Sequence, residues 1–248
     1  MSASDDLGNR SQYRGMQIHA ARGLHERCAE IVCKYIPRGS RTLDIAAGSG
    51  AFIQRLLDLG YQVQANDLDH VEWSVPGVRP MQIDLNQNIS PEEFGGQFDV
   101  VVAMEVLEHL ENPLQFLRNL RALCKDGGYI LLTTPNTVDA ASYLRYIQAG
   151  RFMCFDEAKV SAWGHIGIYP YWLLETYYRM LGFRVIYRCA SGSVKMRGVK
   201  RLAPLIQRVL QAVIAGRIPK DLRSGICLCY LLQKTGDVEH RPLSTTAV

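Results

Sequence analysis

The stretch Thr42-Leu43-Asp44-Ile45-Ala46-Ala47-Gly48-Ser49-Gly50-Ala51-Phe52 reads as a buried strand, a glycine turn and a helix start in immediate succession. Leu43 and Ile45 supply the apolar strand positions. Gly48 and Gly50 let backbone pass close to a ligand without a Cβ in the way, and Ala51-Phe52 open a helical pattern through Leu56, Leu57 and Leu59 to Gly60. The helix N-terminus then faces a nucleotide-sized ligand.

Working outward, Tyr61-Gln62-Val63-Gln64-Ala65 reads as a second strand ending at Asn66-Asp67-Leu68-Asp69, so Asp67 lies 67 − 44 = 23 positions beyond Asp44. A carboxylate at that distance, at the end of the second strand, is where a doubly wound fold holds a ribose diol. A dinucleotide loop needs G-x-G-x-x-G, and here the third glycine position is Ile53; no G-x-x-x-x-G-K-[ST] cradle exists either. The ligand is therefore read as a nucleoside without a pyrophosphate.

Asp44-x-Ala46-x-Gly48-x-Gly50 resembles the first motif of class I S-adenosylmethionine-dependent methyltransferases, normally Asp/Glu-x-Gly-x-Gly-x-Gly, with Ala46 in place of the first glycine. Phe98-Asp99-Val100-Val101-Val102-Ala103-Met104-Glu105-Val106-Leu107-Glu108-His109-Leu110-Glu111-Asn112-Pro113 is similar to the fourth-strand signature of the ubiquinone-biosynthesis-like branch. Gly128-Tyr129-Ile130-Leu131-Leu132-Thr133-Thr134-Pro135-Asn136 is similar to its fifth strand, and Gly164-His165-Ile166 and Gly182-Phe183 fit the same branch. The resemblance runs from Thr42 to Val185. It implies an α/β fold with a Rossmann-like, mostly parallel seven-stranded sheet, helices on both faces and an antiparallel last strand.

It also implies roles. Asp44, Ala46, Gly48 and Gly50 would face the methionine part of S-adenosylmethionine, Asp67 the ribose hydroxyls, Leu68 the adenine face and Asp84 the adenine amino group. Asp84 follows Met81 and Ile83, read as the end of the third strand, and Met104 would lie near the transferring sulfur. Glu105, Glu108 and His109 stand at i, i+3 and i+4, on one face of a helical turn. Two carboxylates and an imidazole suit Mg²⁺ or Mn²⁺. The pattern resembles the Glu-x-x-Glu-His of metal-using O-methyltransferases of ubiquinone synthesis and of RNA 3′-end modification, in which His165 would be a fourth ligand. Without a metal, His109 or His165 is the general-base candidate. His19, His25, His70 and His240 receive no role.

The composition of the 248-residue chain, 48% apolar and 21% charged, is that of one ordinary globular domain. No run of about 18 apolar residues exists, and the first residues lack a basic region and an apolar core, so neither a spanning helix nor a secretory signal is expected. The seven cysteines are odd in number and lack C-x-x-C spacing, which argues against zinc ribbons and disulfides and for reduced thiols in a cytoplasmic protein. Cys227 and Cys229 read as core positions of a strand.

Residues 1–15 read as loose, and 16–36 as a helix ended by Pro37-Arg38-Gly39. Asn112-Pro113 reads as an N-cap and first turn. Two segments exceed a minimal fold. The first, 137–168, is aromatic-rich (Tyr143, Tyr146, Phe152, Phe155, Trp163) and reads as a substrate lid for a small-molecule acceptor. The second, 195–222, is a basic amphipathic insertion. Between Arg188 and Lys234, ten basic residues face the single acid Asp221, a surplus of +9 within a net charge of +4. That surplus suits anionic partners, including the inner face of a membrane at its periphery, and the apolar stripe suits a homodimer partner. Nucleic acid is disfavoured, because the basic residues are not interleaved with aromatics.

The leading expectation is O-methylation of a small-molecule or lipid-linked hydroxyl. RNA 2′-O-methylation and a non-catalytic cofactor-binding interaction protein are the alternatives.

Overall fold

The computed structural model describes residues 12–69, 72–193 and 216–236. The chain opens with a hairpin of β1 (Gln12–Tyr13) and β2 (Met16–Gln17), turned at Arg14 and Gly15, both with positive φ. Two positive-φ residues match the right-handed twist of a tight hairpin. This corrects two expectations: Gln12 and Tyr13 are paired strand rather than loose chain, and the first helix, α1, spans Leu24–Tyr35 instead of starting at Met16. Residues 1–11 lie outside the described residues, as do His70, His240 and most of the basic amphipathic insertion.

From β3 (Arg41–Ile45) the chain passes through α2 (Ala51–Asp58) to β4 (Gln62–Asn66). It continues through β5 (Phe98–Met104), α3 (Pro113–Leu123) and β6 (Cys124–Pro135). Asn112 caps α3 as its sequence implied, its side-chain oxygen accepting from the Gln115 N–H at 3.0 Å. Three helices follow, α4 (Ala140–Ala149), α5 (Glu157–Trp163) and α6 (Tyr171–Met180), and the chain ends on β7 (Phe183–Ser191) and β8 (Cys227–Lys234).

The sheet runs β4-β3-β5-β6-β8-β7. Its first four members are parallel, and β8 is antiparallel to both neighbours. Among the described residues it has six strands, not seven. The segment read as a third strand reaches the edge only at Met81, which forms a single parallel bridge with Asn66. Pro80 before it and the turn starting at Asp84 behind it leave no length for a ladder.

Strand alternation explains the layers. On β5, Val101 and Ala103 pack with α3 and α6, through Leu117, Leu120, Leu174 and Tyr178. Val100 and Val102 face α1 and α2, through Cys28, Val32, Phe52 and Leu56. Both faces are covered, which is why this strand reads as a continuous apolar run. The chain leaves β3 toward β4 on one side while β5 lies on the other. That reversal opens a crevice at the carboxyl ends of β3 and β5, where Ala46, Met104 and Glu105 sit. No helix of the described residues is long and apolar enough to cross a membrane.

Candidate cofactor and acceptor site

The turn after β3 is built around a strained residue. Ala46 has φ of 59°, left-handed backbone that costs an L-residue about 1–2 kcal/mol and that glycine adopts freely. The turn is then fastened to β4: the Ala47 N–H donates to the Asn66 carbonyl at 3.1 Å, and the Gly48 N–H to the Asp67 carboxylate at 2.7 Å. The other Asp67 oxygen accepts from the Asp69 N–H at 2.9 Å. Asp67 therefore holds the glycine loop while standing at the strand end. Leu68 beside it is 58% exposed, an apolar face open to a ligand.

Asn66, nearly fully buried, clamps the next loop by exchanging two hydrogen bonds with the Ile83 backbone at 2.9 and 3.1 Å. Asp84 is thereby set beside the same edge, with its carboxylate accepting from the Asn86 N–H. Asp44 is buried at the bottom of the turn. Desolvation, reinforced by the Asp67 charge, holds its carboxyl well above the usual aspartate range.

A small cavity of about 60 Å³ lies against this turn, walled by Asp44, Ala46, Gly48, Ser49 and Met104 on one side and by Gln17, His19 and His25 on the other. Gln17 Oε1 and His25 Nδ1 are both buried and without a hydrogen-bond partner. A buried polar atom left unpaired costs about 1–3 kcal/mol, so two of them on one cavity mark a place where a ligand completes the bonding. The β1–β2 hairpin is anchored there, since the Ser49 hydroxyl donates to the Gln17 carbonyl at 2.5 Å. His19 and His25, given no role from sequence, are thus brought to the site. A local signal exists for His19 alone: in Met16-Gln17-Ile18-His19, Met16 and Ile18 are buried and the alternate positions Gln17 and His19 line the cavity.

A second cavity of about 350 Å³ adjoins the first and shares His19, Ala20, Ala46, Met104 and Glu105 with it. The remaining wall includes Arg22, His109, Cys154, Trp163, His165, Ser193 and Cys227. Of the aromatic residues in the 137–168 segment, Trp163 lines this cavity, Phe155 is buried against His165, and Tyr146 stacks on Phe152 at the surface.

Glu108, His109 and His165 offer ligand atoms all within 4.8 Å of one another. Glu108 is fully buried. One of its oxygens accepts from the Thr134 hydroxyl at 3.0 Å and the other has no partner. Burial and the neighbouring Glu105 push its carboxyl well above the ordinary glutamate value. His165 has Nδ1 3.0 Å from the Cys154 carbonyl, and desolvation, aided by His109, lowers its pKa to about 4. His109 is also lowered, by desolvation opposed by the backbone of Trp163 and Gly164. Both rings are neutral near pH 7.

Glu105 stands apart from this cluster, contrary to the reading that placed it with Glu108 and His109 on one helical face. Its φ of 54° breaks helical geometry between the strand end and the short turn Leu107–His109. Its carboxyl instead accepts from the Thr133 hydroxyl at 2.9 Å and the Cys227 thiol at 3.2 Å, and burial raises its pKa. Cys227 and Cys229 are both buried in the strand, as their spacing implied, and all seven cysteines are free.

The family model described as a methyltransferase domain matches residues 13–187. A ubiquinone biosynthesis O-methyltransferase of Xanthomonas axonopodis is 33% identical over 121 residues, covering 46% of this chain and 50% of that protein, and one of Pseudomonas aeruginosa is 31% identical over 105 residues, covering 40% and 45%. The chain thus matches about half the length of these curated relatives. Among solved structures, a SAM-dependent methyltransferase of Archaeoglobus fulgidus superposes with a TM-score of 0.53 at 18% identity, covering 86% of this chain and 96% of that one. A Burkholderia thailandensis 1,6-didemethyltoxoflavin-N1-methyltransferase, solved with bound 1,6-didemethyltoxoflavin and S-adenosylhomocysteine, gives 0.51 at 16%, covering 85% and 78%. At those identities the solved structures speak to the fold, and the family model to membership: this chain belongs to the methyltransferase domain family.

Proposed function

We propose that the chain is an S-adenosylmethionine-dependent methyltransferase that methylates a hydroxyl of a small acceptor. The observation carrying this reading is the junction of the two cavities. The smaller lies on the glycine turn, the larger holds the imidazoles, and they share the strand-end residues Ala46, Met104 and Glu105. Oxygen as the methylated atom follows the named activity of the curated relatives. Methyl transfer from a sulfonium is an in-line displacement, so alignment supplies much of the barrier reduction, up to about 7–11 kcal/mol. Where the imidazoles hold no metal, the acceptor hydroxyl gives its proton to a neutral imidazole, His165 or His109, while its oxygen attacks the methyl carbon. The carbon–sulfur bond breaks and S-adenosylhomocysteine leaves.

In the smaller cavity, Asp44 and the orphaned Gln17 Oε1 present acceptors to the cofactor's α-ammonium group, and the unpartnered His25 Nδ1 joins them. Gln17→Leu therefore weakens S-adenosylhomocysteine about tenfold and leaves 5′-methylthioadenosine, which lacks the amino-acid end, unchanged, as read by isothermal titration. An equal loss for both ligands means that Gln17 merely supports the fold.

Glu108, His109 and His165 fit a divalent cation such as Mg²⁺ or Mn²⁺: the buried Glu108 oxygen lacks a partner, and the His165 Nδ1 contact with a carbonyl leaves Nε2 for a metal. When bound, such an ion lowers the pKa of an acceptor hydroxyl. The test is transfer of a labelled methyl group from S-adenosylmethionine into small molecules of a cell extract. Turnover is expected to stop with EDTA and return with Mn²⁺ or Mg²⁺, and Glu108→Gln to lower it about 10²-fold or more. Turnover indifferent to EDTA removes the metal, and no transfer to any component removes the methyltransferase reading.

A further inference from the structure

The wall of the 350 Å³ cavity carries one strongly basic side chain, Arg22. Among the described residues its guanidinium is in no ion pair and no side-chain hydrogen bond.

Arg22 is also held in place. Its backbone forms an antiparallel bridge with Ser193, whose N–H donates to the Arg22 carbonyl at 3.2 Å, and Ser193 lines the same cavity. Arg22 and Ser193 thus line the cavity side by side, and His109 and His165 line it too. Glu105, the acid on that wall, is occupied by Thr133 and Cys227. An anionic group on an acceptor in the cavity pairs with the Arg22 guanidinium by ion pairing as well as hydrogen bonding, and a carboxylate does so with two parallel bonds, which a neutral oxygen does not match.

We propose that the acceptor is a hydroxylated carboxylic acid of about one-ring size, its carboxylate bound by Arg22 and Ser193 while its hydroxyl lies toward the imidazoles. This rests on the methyltransferase reading above and goes beyond it by naming the acceptor class. A cavity of about 350 Å³ is near the lower end of small-molecule sites, which sets the size.

The test uses the full chain saturated with S-adenosylhomocysteine, titrated with 4-hydroxybenzoate and with its uncharged isostere 4-hydroxybenzamide. The acid is expected to bind at least about tenfold more tightly, an advantage that shrinks with added salt. Arg22→Gln is expected to abolish the advantage by weakening the acid alone, and Arg22→Lys to keep part of it. S-adenosylhomocysteine affinity stays unchanged in both variants, which separates this proposal from the cofactor reading. Equal affinities for acid and amide, binding of neither, or an Arg22→Gln effect shared by both ligands overturns it.

Discussion

Replacing Asp67 by alanine is expected to lower affinity for S-adenosylhomocysteine by about 10²–10³-fold, because one carboxylate does two jobs. Without ligand it accepts from the Gly48 N–H and so holds the glycine turn against β4. On the methyltransferase reading proposed above it also accepts from the ribose hydroxyls, and hydrogen bonds to a charged group contribute about 1.5–3 kcal/mol each. Asp67→Asn keeps an oxygen for Gly48 but loses the charge, so it should fall between the parent and Asp67→Ala. Unlike Gln17→Leu, the Asp67 variants should weaken S-adenosylhomocysteine and 5′-methylthioadenosine together, since both ligands carry the ribose. Isothermal titration of the two ligands decides it. A loss confined to S-adenosylhomocysteine would move Asp67 away from the ribose.

The strand-turn-helix and the fourth strand were legible because their signals are local and strong. Leu43 and Ile45 lead directly into glycines, and the run around Val100 to Val102 is apolar on both faces because both faces are buried. The N-terminal hairpin was not, because a two-residue strand carries too little pattern to compete with the helical spacing of Leu24, Cys28 and Ile31 beside it. Glu105 misled for a geometric reason. The i, i+3, i+4 argument holds only where backbone is helical, and a positive φ at Glu105 turns its carboxyl toward Cys227, 122 positions away in the chain. The orphaned atoms of Gln17 and His25 follow from which element folds over the turn, a long-range fact that spacing does not encode.

The glycine at the start of α2 sets a large stability effect. Gly50 has φ of 84°, and a Cβ built there would stand 2.2 Å from Val75 Cγ2 and 3.1 and 3.2 Å from two ring atoms of Trp73. Neither neighbour yields easily: Val75 is 4% exposed, and the Trp73 indole is fixed by donating to the Val78 carbonyl at 2.9 Å. Gly50→Ala therefore adds left-handed strain of about 1–2 kcal/mol to overpacking of about 1–3 kcal/mol. In a domain of this size each kcal/mol shifts Tm by about 2–4 °C, so a fall of about 5–15 °C is expected by calorimetry. Gly48→Ala is the matching control. Its φ of 57° imposes the same backbone strain, but nothing lies within 4 Å of the added carbon. Ala46, already left-handed in this chain, shows that the strain by itself is borne. If Gly48→Ala destabilises as much as Gly50→Ala, contact with Val75 and Trp73 is not what fixes glycine at position 50, and the loop they belong to does not close over the turn in solution.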